Sequence, residues 1–169
     1  MVRVQEADFD LGAEIAALRA GRPQIGAVAS FIGTVRDINE GSGVSGMELE
    51  HYPGMTEKAL ANIADAAMRR WDLIDALVIH RVGKLTPEDQ IVLVAVASTH
   101  RGEAFAACEF IMDYLKSEAP FWKKEQTEQG ARWVDARVTD DRALARWGIV
   151  TDNASAATAQ AASTDNAKG

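Results

Sequence analysis

Apolar positions recur along this chain with two periods, which alternate in sequence order. Val2–Val4 reads as a short strand, followed by an amphipathic helix with Leu11, Ile15 and Leu18 on one face. Residues 26–35 (GAVASFIGTV) are rich in β-formers and lead through Arg36-Asp37 into a glycine-rich segment, 39–46, expected to be a loop. Residues 47–52 alternate in type, as a half-buried strand does, and stop at the Pro53-Gly54 turn. Leu60, Ile63, Ala64, Ala67, Met68 and Trp71 then mark a second helix. Two apolar strands follow, 76–82 and 91–98, joined by a turn containing Pro87. A third helix over 103–116 carries Phe105, Cys108, Ile111, Met112 and Leu115 as its apolar stripe. Beyond Pro120, residues 121–125 and 132–137 pattern as a hairpin around Gln129-Gly130. The order βαββαββαββ predicts an α+β domain with a mixed or antiparallel sheet, without the regular alternation or glycine fingerprint of a dinucleotide-binding fold.

Patterning ends near Val150. Residues 151–169 contain no aromatic and no large aliphatic side chain, so they bury too little to offset their ordering entropy. The expected organisation is one domain over 1–150 and a flexible tail over 151–169, with a marginal Ala-rich helix as the alternative for the tail. The total of 169 residues suits a single core. No stretch approaches the ~20 apolar residues of a membrane span, and the N-terminal residues do not read as a secretory signal. A lone cysteine, Cys108, excludes an internal disulfide and a multi-cysteine metal site and fits a reducing cytoplasm. The formal net charge of −7 argues against a broad nucleic-acid-binding face, but not against a local basic pocket.

The residues able to carry chemistry are basic. His100-Arg101 sits between an apolar strand and a helix, where free backbone N–H groups favour an anion; the plain alternative is a surface pair at a helix cap. Lys116 lies at the edge of the third helix's stripe, where partial burial would make it a nucleophile or base. A cation complementing a helix C-terminus is the competing reading. In PFWKKE, Lys123 and Lys124 point to opposite faces if extended, so one of them shares a face with Phe121 and Glu125. Arg36 and Arg137 end apolar segments, where each reads either as a ligand contact or as the plain edge of the sheet. His51 and His80 read as structural, since neither has a partner at metal-ligand spacing, and Cys108 reads as an inert core thiol.

The segments ASFIGTVRD, LEHYPGMTEKAL, IHRVGKL, VAVASTHRGEAFAACEFIMDYLK, APFWKKE and RWVDAR, in order from about Gly26 to Arg137, closely resemble the large catalytic subunit of molybdopterin synthase, the MoaE family. The resemblance implies an α/β hammerhead-type domain with an added antiparallel subdomain. It implies conversion of cyclic pyranopterin monophosphate (precursor Z) to the molybdopterin dithiolene. The sulfur would come from the thiocarboxylated C-terminal glycine of a small ubiquitin-like subunit of the MoaD type. A homodimeric core within a heterotetramer follows, with no metal and no cofactor in the large subunit.

Position by position, the resemblance makes Lys116 and Lys123 catalytic. It places Thr34, Val35, Arg36, His100, Arg101, Lys116, Lys123, Lys124, Glu125 and Arg137 around the substrate, and Phe31 and Met112 along the channel for the glycine tail. One consequence comes from helix geometry. At ~1.5 Å per residue, His100 and Lys116 lie roughly 20–24 Å apart in one chain, so a site using both would combine two protomers. A non-catalytic scaffold for a ubiquitin-like protein is the alternative. Retention of Arg36, His100 and Arg101 favours the enzyme, because docking a tail needs no phosphate site. A metal-dependent phosphoester hydrolase is disfavoured by the missing ligand cluster.

Overall fold

The computed structural model describes residues 1–39, 42–127, 130–134 and 146–148. The chain forms two compact units, Met1–Asp135 and Ala136–Gly169. In the second, residues 146–148 form a turn, with the Arg146 guanidinium 5.1 Å from the Trp147 ring centre. The expected 151–169 tail lies outside the described residues.

The first unit runs β1 (Val2–Gln5), α1 (Leu11–Arg19), β2 (Ala27–Thr34), β3 (Ile38–Asn39), β4 (Ser42–His51), α2 (Met55–Arg70), β5 (Leu73–Arg81), β6 (Gly83–Leu85), β7 (Gln90–Ser98), α3 (Arg101–Glu118), β8 (Phe121–Thr127) and β9 (Gly130–Val134). Its first sheet has the order β1-β5-β7-β2; β1 and β5 are parallel and the other pairs antiparallel. The second, antiparallel throughout, has the order β3-β4-β8-β9, with β6 also on β4. The α+β class with mixed and antiparallel sheets is as the patterning predicts.

Two short strands, β3 and β6, were not expected, and the glycine-rich segment is not simply a loop. Of its described residues Asn39 belongs to β3 and those from Ser42 to β4, which pairs with β3 and β8 around a bulge between Val44 and Gly46. Ladder bonds are made by the backbone, so glycines are tolerated where neighbours supply the pairing. Gly46 is positively useful, because a Cβ there would lie 3.2 Å from the Leu85 carbonyl of the adjacent β6.

The first sheet is covered on both faces. On one, Leu11, Ile15 and Leu18 of α1 pack with Phe9 against Leu77, Ile79, Leu93, Ala95 and Ala97. The Asp10 side chain caps this helix by accepting from the Ala13 N–H at 2.7 Å. Strand alternation turns Ala76, Val78 and His80 to the other face, where α2 lies along β1 and β5 and α3 along β7 and β2. α2 starts at Gly54, whose φ of +82° suits glycine, and Glu57 accepts from the Gly54 N–H at 2.6 Å.

The stripe expected on α3 needs one correction. Cys108, Ile111, Met112 and Leu115 are buried, but Phe105 is 66% exposed, and the buried aromatic is Phe110. At 100° per residue, Phe105 falls one step off the Ala104–Cys108–Ile111–Leu115 row, on a row with Glu109, Met112 and Lys116. Phe110 turns instead toward Trp71, with ring centres 5.2 Å apart and nearly edge-on.

Candidate active site

β8 carries the most specific arrangement. Pairing with β4 and β9 makes it extended, so Phe121, Lys123 and Glu125 share one face and Trp122 and Lys124 the other. Lys123 Nζ lies 2.8 Å from Glu125 Oε1. The Glu125 side chain is 2% exposed and that of Lys123 30%. A carboxylate so deeply buried needs its cation, and the bond fixes the ammonium while leaving it further donors. The lysine that shares the Glu125 face is therefore Lys123. Lys124 sits opposite Glu48 on β4.

Around this pair the structure gathers one end of β2. Val35 is buried with Met47, Leu49 and Leu85. Its N–H donates to the Asp89 carbonyl and its carbonyl accepts from the Glu88 N–H, both at 2.9 Å. Met47 and Leu49 are the direct neighbours of Glu125 and Lys123 across β4 and β8, so Thr34 and Arg36, both exposed, flank a residue anchored beside the lysine strand. α3 leaves the end of β7 and packs back over β7 and β2, which brings its last turn, with Lys116, toward this same end. Lys116 is exposed in this chain, so the partial burial expected for it is not present within one protomer. Of the two channel positions, Met112 is buried on α3 and Phe31 is 42% exposed on β2.

His100 and Arg101 stand at the opposite end of α3. His100 is the N-cap residue and its side chain makes no capping bond, so the helix N-terminus stays open. The turn is held from behind: the His100 N–H donates to Ser98 Oγ at 3.3 Å, and that buried hydroxyl lies 2.8 Å from Glu103 Oε2 and 3.0 Å from the Asp72 carbonyl. Because α3 is one continuous helix, Arg101 and Lys116 are about 22 Å apart along it. One chain thus assembles Arg36, Lys116, Lys123 and Glu125 at one end and keeps His100 and Arg101 away from them. Arg137 lies outside the described residues.

Gly26 couples the edge strand to the His100 turn. Its N–H donates to the Ser98 carbonyl at 3.1 Å, and a Cβ on it would lie 2.2 Å from the Thr99 carbonyl oxygen. Gly26→Ala is expected to push that backbone away, costing about 1–3 kcal/mol of stability and displacing His100. Urea unfolding together with the half-saturating concentration for an anionic substrate checks this. A variant unchanged in both would show that the turn yields freely.

The remaining histidines and the cysteine carry no such chemistry. His80 is buried, its ring stacked on Phe121 at 3.7 Å and 17°, and its Nδ1–H donates to the Arg81 carbonyl at 2.8 Å. Burial lowers its pKa to about 4 despite that bond, with nearby His51 adding to the effect, so the ring is neutral at neutral pH. His51 Nε2 lies 3.8 Å from Glu57 Oε1. Burial and Glu109 push the Cys108 thiol up to about 11, which makes it a poor nucleophile. Among the described residues no cluster could hold a metal ion, and no helix is long and apolar enough to cross a membrane. Sequence reasoning named Glu125 but not its burial, and it missed the Ser98–Glu103 support altogether, since single hydroxyls and carboxylates leave no periodic signal.

The family model described as MoaE protein matches residues 4–118. The chain is 93% identical over 165 residues to the molybdopterin synthase catalytic subunit of Ralstonia nicotianae, covering 98% of this chain and 94% of that one. Among solved structures it is similar to the molybdopterin biosynthesis MoaE protein of Burkholderia ambifaria, with a TM-score of 0.77 and 66% identity over 88% of this chain and 98% of the other. It is also similar to molybdopterin synthase from Staphylococcus aureus, with a TM-score of 0.72 and 33% identity over 78% of this chain and 95% of the other.

Proposed function

The chain belongs to the MoaE protein family, and from that premise we propose that it is the catalytic subunit of molybdopterin synthase. It transfers sulfur from the thiocarboxylated C-terminal glycine of a small ubiquitin-like subunit to precursor Z, making the molybdopterin dithiolene. The observation that carries this reading is Lys123 fixed on a buried carboxylate at the same end of the fold as Arg36 and Lys116. That is a preorganised positive site suited to a small anion, in a chain whose net charge is −7.

The substrate's cyclic phosphate must be held while the thiocarboxylate sulfur attacks, the ring opens and negative charge develops on oxygen. Arg36 supplies a planar fork for those oxygens, and His100 and Arg101 complete the anion site, with His100 as proton shuttle. Lys123, held by Glu125, neutralises the anionic intermediate. Lys116 acts as base or attacks the acyl group, its burial supplied when substrate and partner close over it. Thr34 and Arg137 line the pocket, with Val35 buried behind it and Lys124 on the opposite face of β8, and Phe31 and Met112 guide the glycine tail.

Because His100 and Arg101 sit at the far end of α3, each site combines two protomers of a homodimer, with a small subunit at each end of the assembly. Phe105, exposed on the row of Met112 and Lys116, gives this dimer an apolar contact. Residues 1–150 are read as the synthase domain and 151–169 as a tail, and the cytoplasm, where sulfur carriers stay reduced, is the expected compartment.

The test is reconstitution: the chain, a thiocarboxylated small subunit and precursor Z together should form the dithiolene. Binding of the small subunit without any dithiolene would make the protein a tail-docking scaffold instead.

A further inference from the structure

Lys116 lies in the last turn of α3 and Lys123 on β8, with six residues between them, so their relative placement depends on the turn through Ala119 and Pro120. Two buried side chains outside the proposed chemistry hold that turn. Thr56, in the first turn of α2, is fully buried. Its Oγ1 accepts from the Tyr52 N–H at 3.1 Å and donates to the Pro120 carbonyl at 3.2 Å, across 64 positions of sequence. His80, on β5 of the other sheet, lays its ring flat on Phe121, the first residue of β8. The backbone of the turn completes the junction: Ala119 N–H donates to the Leu115 carbonyl at 3.2 Å and Phe121 N–H to the Ala119 carbonyl at 2.9 Å.

We infer that Thr56 and His80 are positioning residues, which clamp the α3–β8 junction from two sides and so set the spacing of Lys116 and Lys123. The inference rests on the reading above that both lysines serve one site. Neither side chain touches that site. Thr56 acts on the carbonyl that precedes β8, and His80 acts on the ring two residues before Lys123. A hydroxyl that joins the start of one helix to the end of another constrains direction as well as distance, which a methyl group of equal size does not. Misplacement by about 1 Å between acting groups is enough to slow a reaction up to about a hundredfold without weakening substrate binding.

The experiment compares Thr56→Val, Thr56→Ser and His80→Leu in the reconstituted two-subunit enzyme. Amide hydrogen exchange over residues 117–124 should quicken about tenfold in Thr56→Val and His80→Leu, and stay near the parent rate in Thr56→Ser, while the strands of the first sheet remain protected. Dithiolene formation at saturating precursor should fall about tenfold in the two disruptive variants, with the half-saturating concentration within about twofold of the parent, and recover in Thr56→Ser. Unchanged exchange at 117–124 in a folded Thr56→Val protein overturns the inference, as does quickened exchange with undiminished turnover. The underlying assignment is checked separately: if Lys116→Ala and Lys123→Ala are both fully active, that reading fails whatever the Thr56 variants do.

Discussion

Replacing Lys123 by alanine should destroy turnover and also destabilise the fold, whereas replacing Lys116 should do only the first. Removing Lys123 leaves the Glu125 carboxylate buried with its 2.8 Å partner gone. Breaking a buried pair from one side costs about 3–5 kcal/mol where the remaining charge is left uncompensated; Glu125 keeps a further contact and the Lys123 side chain is 30% exposed, so the expected loss lies at or below the lower end of that range. A domain stable by roughly 5–15 kcal/mol survives that loss, so activity remains measurable on folded protein. Lys116 is exposed, and its truncation should leave stability within about 0.5 kcal/mol. Each variant should lose about 10²–10³-fold in dithiolene formation, the range for removing one preorganised donor.

The double variant Lys123→Met with Glu125→Leu separates the two roles of the pair. An apolar replacement of a buried ion pair is often neutral or better for stability, so the double variant should regain what Lys123→Ala lost and remain inactive. Urea unfolding and single-turnover assays on the four proteins read this out. An active double variant would remove Lys123 from the chemistry. A stable Lys123→Ala protein would mean that the other contacts of Glu125 suffice to hold its carboxylate.

The difference between the lysines marks what a sequence can convey. Alternation in PFWKKE places Lys123 with Glu125, and the 3.6-residue period puts Lys116 near Met112, because both follow from backbone geometry alone. Periodicity also located α1, α2, α3 and the central strands to within a few residues. It does not say which neighbouring stripe of a helix the sheet will cover. Phe105 and Phe110 are therefore interchangeable in the pattern and opposite in the structure, where Trp71 takes Phe110. The short strands β3 and β6 were illegible for a related reason: two or three residues carry no period, and their pairing is set by β4. The long-range clamps are invisible for another. Ser98 with Glu103 and Thr56 with Pro120 are single polar contacts whose partners only the tertiary fold selects. The family resemblance supplied the roles and helix rise the distance between His100 and Lys116, while the structure supplied the ion pair and showed α3 to be continuous.

That distance leads to the second large effect. Mixing a His100→Ala chain with a Lys116→Ala chain, each inactive alone, should restore about a quarter of parental activity. With free exchange of subunits, half of all dimers are mixed, and each mixed dimer contains one site whose His100 and Lys116 are both intact, because a two-fold axis makes the two sites equivalent. A site shared in this way fixes where the axis must lie. For His100 of one protomer to reach Lys116 of the other, and the reverse, the two α3 helices must run antiparallel about a point near Cys108 and Glu109. The same operation would place exposed Phe105 inside the interface, which gives a reason for a 66% exposed phenylalanine on the row that ends in Lys116. Phe105→Asp should therefore lower both dimer content and activity, and should abolish rescue in the mixture. Separate affinity tags on the two chains allow mixed dimers to be isolated and assayed. Isolated mixed dimers without activity would confine each site to a single chain, and His100 and Arg101 would then have to act at a place of their own, about 22–24 Å from Lys116 along α3.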